Sequence, residues 1–159
     1  MTLLVQVQNP YDFTALPSEQ HFTHWARAAW LDESDAGVVI RIVNEEDSQQ
    51  LNLQFRGKDY PTNVLSFPYE PDFDLQDVQE EDELEIDYLG DMVLCKAVVE
   101  REAKEQGKVL EQHWAHLVVH GLLHLQGYDH INETERELME LRELDILRDL
   151  NIPNPYLID

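Results

Sequence analysis

Apolar and polar positions along the chain change period several times, and each change marks an element. Residues 2 to 8 (Thr-Leu-Leu-Val-Gln-Val-Gln) read as a strand stopped by Asn9-Pro10. Phe22, Trp25, Ala26, Ala29 and Trp30 fall three or four apart and predict a helix over 18–30. Val38 to Val43 is a β-branched run broken only by Arg41, the pattern of a strand buried on both faces. A short helix over 45–55 carries Leu51 and Phe55. Two further strands follow, Asn63 to Tyr69, closed by Pro71, and Ile86 to Leu94. From Cys95 the pattern is helical: 95–106 with Gly107 placed to cap it, then 111–126. Asn132 with Glu135 three residues on resembles a capping box. It opens a last helix bearing Leu138, Leu141, Leu144 and Leu147, and a proline-marked segment near 151–155 closes the chain. Strands early and helices late, with no repeat and no linker, predict a single α+β domain over 1–159.

Length and cysteine content agree with that picture. The 159 residues suffice for one domain with a substantial core. No stretch approaches the ~18 apolar residues of a membrane span, and the N-terminus lacks the pattern of a signal peptide. Cys95 is the only cysteine, so an internal disulfide is impossible and a cytoplasmic location is the expectation. Charge changes the picture more. The net charge is −22, and residues 70 to 91 hold eleven of the 33 acidic residues with no Lys or Arg. A generally basic surface, the usual footprint of nucleic-acid binders, is excluded, so a polyanionic substrate must meet a local basic site. The acidic run reads as a solvated loop or as a docking surface for a basic partner.

The chemistry concentrates in His120-Gly-Leu-Leu-His124-Leu-Gln-Gly127-Tyr-Asp-His130. Residues four apart on a helix share a face, so His120 and His124 can bind one metal ion together. Gly127 can end the helix in a left-handed turn, returning the chain so that His130 supplies a third nitrogen. Three protein ligands and an open position are the arrangement of a catalytic zinc-type site, whereas a structural site is closed by four. His116 lies eight residues before His124, about 12 Å along the helix axis, too far to share an ion with it. His113 and His116 are therefore read as supporting, core or surface groups. The offsets match the metzincin peptidase motif H-E-x-x-H-x-x-G-x-x-H, but the position of its water-activating Glu is Gly121 here, so a peptidase mechanism is not supported. Asp129 either orients a ligand imidazole or fixes the turn.

A second stretch, Arg56-Gly-Lys58-Asp59-Tyr-Pro61-Thr-Asn63-Val-Leu-Ser66-Phe-Pro68, sets two cations on a loop leading into a strand. The guanidinium fork of Arg56 suits phosphate oxygens, and facing a metal it could clamp a phosphodiester whose charge grows in the transition state. The competing reading is an ion pair with one of the many acids.

Together these segments closely resemble the bacterial YbeY family of metal-dependent endoribonucleases. The H-G-x-L-H-L-x-G-Y-D-H motif stands at His120 to His130, the R-G-K-D-x-P-T-x-V-L-S-F-P stretch at Arg56 to Pro68, and a Gly-Asp pair at Gly90-Asp91. The resemblance implies an α+β fold with a small mixed sheet and the metal helix at its centre. It implies one zinc ion on His120, His124 and His130, and a functionally important arginine at Arg56. It further implies cleavage of single-stranded RNA in ribosome biogenesis, in 3′-end maturation of small-subunit ribosomal RNA and in ribosome quality control. Ribosomal RNA and the ribosome or its proteins are the implied partners, with neither DNA nor membrane. Two other functions compete: a metallopeptidase, weakened by Gly121, and a non-catalytic ribosome-assembly factor with a structural metal.

Overall fold

The computed structural model describes residues 2–69, 87–129 and 131–156. Its elements run β1 (Leu3–Gln8), α1 (Glu19–Ala29), β2 (Ala36–Val43), α2 (Glu45–Arg56), β3 (Val64–Pro68), β4 (Asp87–Cys95), α3 (Lys96–Gln106), α4 (Leu110–Leu125) and α5 (Glu133–Asp149). The expected α+β architecture with a mixed sheet is present. The four strands lie in the order β1-β2-β4-β3. β1, β2 and β4 are parallel, and β3 runs antiparallel along the edge beside β4. Parallel neighbours need a crossover connection, which is what α1 supplies between β1 and β2. β2 starts two residues before the β-branched run because Ala36 and Gly37 already pair with Leu3 and Leu4 of β1.

The two faces of the sheet are covered unequally. Val38, Ile40 and Ile42 of β2 and Met92 and Leu94 of β4 point into the main core, against α1 and α4. There Phe22, Trp25 and Trp114 meet edge to face, with ring centroids 5.7 to 5.8 Å apart. The opposite face carries a smaller cluster of Val43, Leu65, Val93, Cys95 and Val98, with Leu51 of α2 and Phe67 of β3 against it. Arg41, the interruption in the β2 run, is exposed on this thinly covered face.

α5 differs from its leucine pattern. Leu138 and Leu141 are exposed, and the buried residues are Met139, Glu143, Ile146 and Leu147. The helix is turned so that a carboxylate, not a leucine, meets α4. Its start is as the sequence suggests: the Asn132 side chain accepts from the Glu135 backbone N–H at 2.8 Å. Asn132→Ala is expected to cost about 1 kcal/mol, a few degrees in melting midpoint followed by circular dichroism. An unchanged midpoint would mean that packing alone fixes the helix start.

Candidate metal centre

α4 presents four histidines along one side, and their surroundings differ. His113 is buried, with Nε2 at 2.9 Å from Glu102 of α3, which also accepts from Asn63. His116, one turn on, has Nε2 3.1 Å from Glu143 Oε1. His120, half-buried, has Nδ1 2.5 Å from Glu143 Oε2. The ring of His124 lies 4.8 Å from that of His120, nearly perpendicular to it. Tyr156, near the chain end, donates its hydroxyl to Glu143 Oε1 at 2.5 Å.

Glu143 is fully buried. Burial pushes its carboxyl pKa up, but the hydrogen bonds and charges of His116 and His120 outweigh that and hold it down at about 2. Burial pushes the His116 imidazole down from its usual value, only partly offset by Glu143, and pushes the Tyr156 hydroxyl up. An ionised carboxylate only accepts hydrogen bonds, so the nitrogens facing it carry the protons. The hydrogen bond from Nδ1 leaves Nε2 as the His120 nitrogen that a metal would take.

The donor set fits a cation. One nitrogen each of His116 and His120 and one oxygen of Glu143 lie within 4.8 Å of one another, close enough to hold a metal ion. The sequence analysis missed Glu143. Its only signal was an acidic residue on the same helical stripe as Met139 and Ile146. His116, set aside because of its distance from His124, is joined to His120 through this carboxylate. The turn that ends α4 forms as expected. Gly127 has φ +101°, its N–H donates to His124 O at 3.0 Å, and the Tyr128 N–H donates to Leu123 O at 3.1 Å. Asp129 is half-buried just beyond, and His130 lies outside the described residues. The Gln126 side chain ties this end of α4 to α1, donating to Ala29 O at 2.7 Å and accepting from Leu31 N at 3.0 Å.

Gly121 occupies the position of the peptidase glutamate for a packing reason. A Cβ there would stand 2.8 Å from Met92 Sδ, because α4 lies directly on the sheet at this point. A side chain at 121 would meet the end of the Met92 side chain, which would have to shift to admit it.

Arg56 ends α2, where Gly57 caps the helix in a left-handed conformation. Its Nη2 donates to Ser66 O at 3.2 Å, and the Ser66 hydroxyl donates to Gly121 O at 3.1 Å. Two hydrogen bonds thus connect the arginine to the residue beside His120. Among the described residues Arg56 makes no ion pair, although Lys96, Arg101 and Arg148 each have an acidic partner.

The family model described as Endoribonuclease YbeY matches residues 9–151. A relative from Methylococcus capsulatus named Endoribonuclease YbeY is 54% identical over 143 residues, covering 90% of this chain and 89% of that protein. The chain belongs to the YbeY endoribonuclease family. The solution structure of TM1509 from Thermotoga maritima covers 98% of this chain and 97% of that one, with 23% identity and a TM-score of 0.52, a likeness of fold. In this YbeY chain, no helix among the described residues is long and apolar enough to cross a membrane.

Proposed function

We propose that the protein is a zinc-dependent endoribonuclease that cuts single-stranded RNA, acting in the cytoplasm on precursors of small-subunit ribosomal RNA and in ribosome quality control. The observation that carries this reading is the grip of buried Glu143 on His120 Nδ1, one helical turn from His124, in a chain of the YbeY family. His120, His124 and His130 would hold the ion, with Glu143 fixing the ring of His120 and His116 supporting Glu143 from the far side. Zinc, when bound, supplies Lewis acidity toward a phosphodiester oxygen and lowers the pKa of bound water.

The chain's own residues supply the rest. Arg56 spends one hydrogen bond on Ser66 O and has further N–H donors for a phosphate. A guanidinium with no acidic partner among the described residues keeps its attraction for charge that develops in the transition state. The glutamate base of the peptidase kind is absent, its position taken by Gly121. The ribosome, or a basic ribosomal protein meeting the acidic surface, would bring the RNA to a protein whose overall field repels it. The acidic run itself falls largely outside the described residues.

The test is cleavage of a labelled single-stranded RNA beside His124→Ala and Arg56→Glu proteins purified identically. His124→Ala is expected to abolish cleavage, and Arg56→Glu to slow it by about 10²- to 10³-fold, with circular dichroism unchanged in both. Chelation should stop the wild-type enzyme and zinc restore it. A 2′,3′-cyclic phosphate on the product would identify the ribose hydroxyl as nucleophile. Equal cleavage by all three proteins would reveal a contaminating ribonuclease and leave a non-catalytic assembly factor as the function.

A further inference from the structure

On the thinly covered face of the sheet, between α2 and strands β2, β4 and β3, lies a groove of about 830 Å³. That volume is in the range of small-ligand sites. Its wall includes Arg41, Gln54, Phe55, Arg56, Phe67 and Asp91. Phe55 is 55% exposed, and its ring meets that of half-buried Phe67 edge to face at 5.1 Å. An apolar ring left half in water on a helix with polar residues to spare is costly unless something covers it. Arg41 makes no ion pair among the described residues, like Arg56. Thus two unpaired guanidiniums of a chain with only 11 Lys and Arg and 33 Asp and Glu share this one groove. Its two carboxylates are engaged by tyrosine hydroxyls, Asp47 by Tyr11 and Asp91 by Tyr88.

We propose that this groove is a nucleotide subsite for single-stranded RNA, with a base stacked on Phe55 above Phe67 and the adjoining phosphate on Arg41. The proposal rests on the endoribonuclease reading and adds to it where the strand lies beside the cut. Aromatic platforms with flanking cations bind single strands without strict sequence choice, because every base has a π-face. A duplex hides those faces in its own stack, so the same groove discriminates against paired RNA. The location suits the metal centre. β3 forms a wall common to both: Phe67 faces the groove, while its neighbour Ser66 is bonded to the metal helix at Gly121. Arg56 lies in the groove and is bonded to Ser66, so a strand leaving the subsite over the β3 edge passes the arginine on the way to the histidines. The interruption of the β2 hydrophobic run by Arg41 thereby has a reason.

The test is equilibrium binding of a short fluorescent single-stranded RNA to the full-length, chelator-treated protein, which binds without cutting. Phe55→Ala should weaken binding about tenfold, and Phe55→Trp should restore it. Arg41→Gln should flatten the dependence of log affinity on log salt by about 0.7, one phosphate contact. A duplex of the same sequence should bind more weakly than the single strand and be indifferent to Phe55→Ala. Wild-type affinity and salt slope in both Phe55→Ala and Arg41→Gln would overturn the subsite while leaving the nuclease reading intact, and would point to a protein occupant of the groove. Failure of the wild-type protein either to bind or, with zinc, to cut any single strand would overturn both.

Discussion

Replacing Gly90 with alanine is expected to destabilise the protein by about 4 kcal/mol or more, and to lower its melting midpoint by roughly 10 °C. Gly90 stands opposite Pro68 in the β3–β4 pair, with φ +138°. A Cβ built there would lie 2.2 Å from Phe67 O and 2.9 Å from both Pro68 Cα and Tyr69 N. All three are backbone atoms, so no rotamer change relieves the clash. The strands must part, and the positive φ would strain the new residue even then. β3 would move, and it carries Ser66, the link between Arg56 and α4. Thermal denaturation measures the first effect. RNA cleavage below the new midpoint measures the second, and should fall even in the folded variant. A Gly90→Ala protein with wild-type stability would mean that the edge strand is far more pliant than its pairing implies.

Glu143→Gln is expected to lower zinc affinity by about 10- to 100-fold, the usual loss when the carboxylate behind a ligating imidazole is removed. The amide cannot accept from His116, His120 and Tyr156 as the ionised carboxylate does. Competition with a chelating dye gives the affinity. The companion variants locate the ion. His124→Ala should abolish binding, whereas His116→Ala should weaken it no more than Glu143→Gln does. The reverse order would put the ion on His116, His120 and Glu143 themselves. The same residue sets an acid limit for the metal-free protein. Its carboxyl is held at about 2, below the unfolded value near 4.5. Ionised Glu143 therefore stabilises the fold above pH 4.5, by about 3 kcal/mol, and this is lost as pH falls toward 2. In Glu143→Gln the stability should fall less steeply over that window. An identical acid limb in both proteins would contradict the assignment.

Local pattern foretold the elements because each is a local decision. Trp25, Ala26 and Ala29 turn one face inward at helical spacing, and Val38 to Val43 pairs on both sides, so α1 and β2 lie where the period says. The pairing of His120 with His124 was legible for the same reason, since residues four apart face one way on any helix. Glu143 was not, because its value depends on a contact 23 residues away in sequence, between α5 and α4. Leu138 and Leu141 misled for the complementary reason: the burial of Glu143 sets the rotation of α5, and they are left in water. Arg56 could be singled out in the sequence as a side chain suited to phosphate, but that it makes no ion pair among the described residues is a property of the fold.

The contact between Gly121 and Met92 has a consequence for how this scaffold can be re-engineered or can diverge. A histidine pair one turn apart is common to hydrolases of different substrates, and a single glutamate beside the first histidine would seem enough to convert one into another. Here a Cβ at that step of the helix would stand 2.8 Å from Met92 Sδ, so the buried Met92 side chain would have to give way first. Gaining that base would therefore couple position 121 to Met92, two coordinated changes in place of one. A core methionine on β4 thus puts a second step on the path from this arginine-and-histidine site to a glutamate-based one.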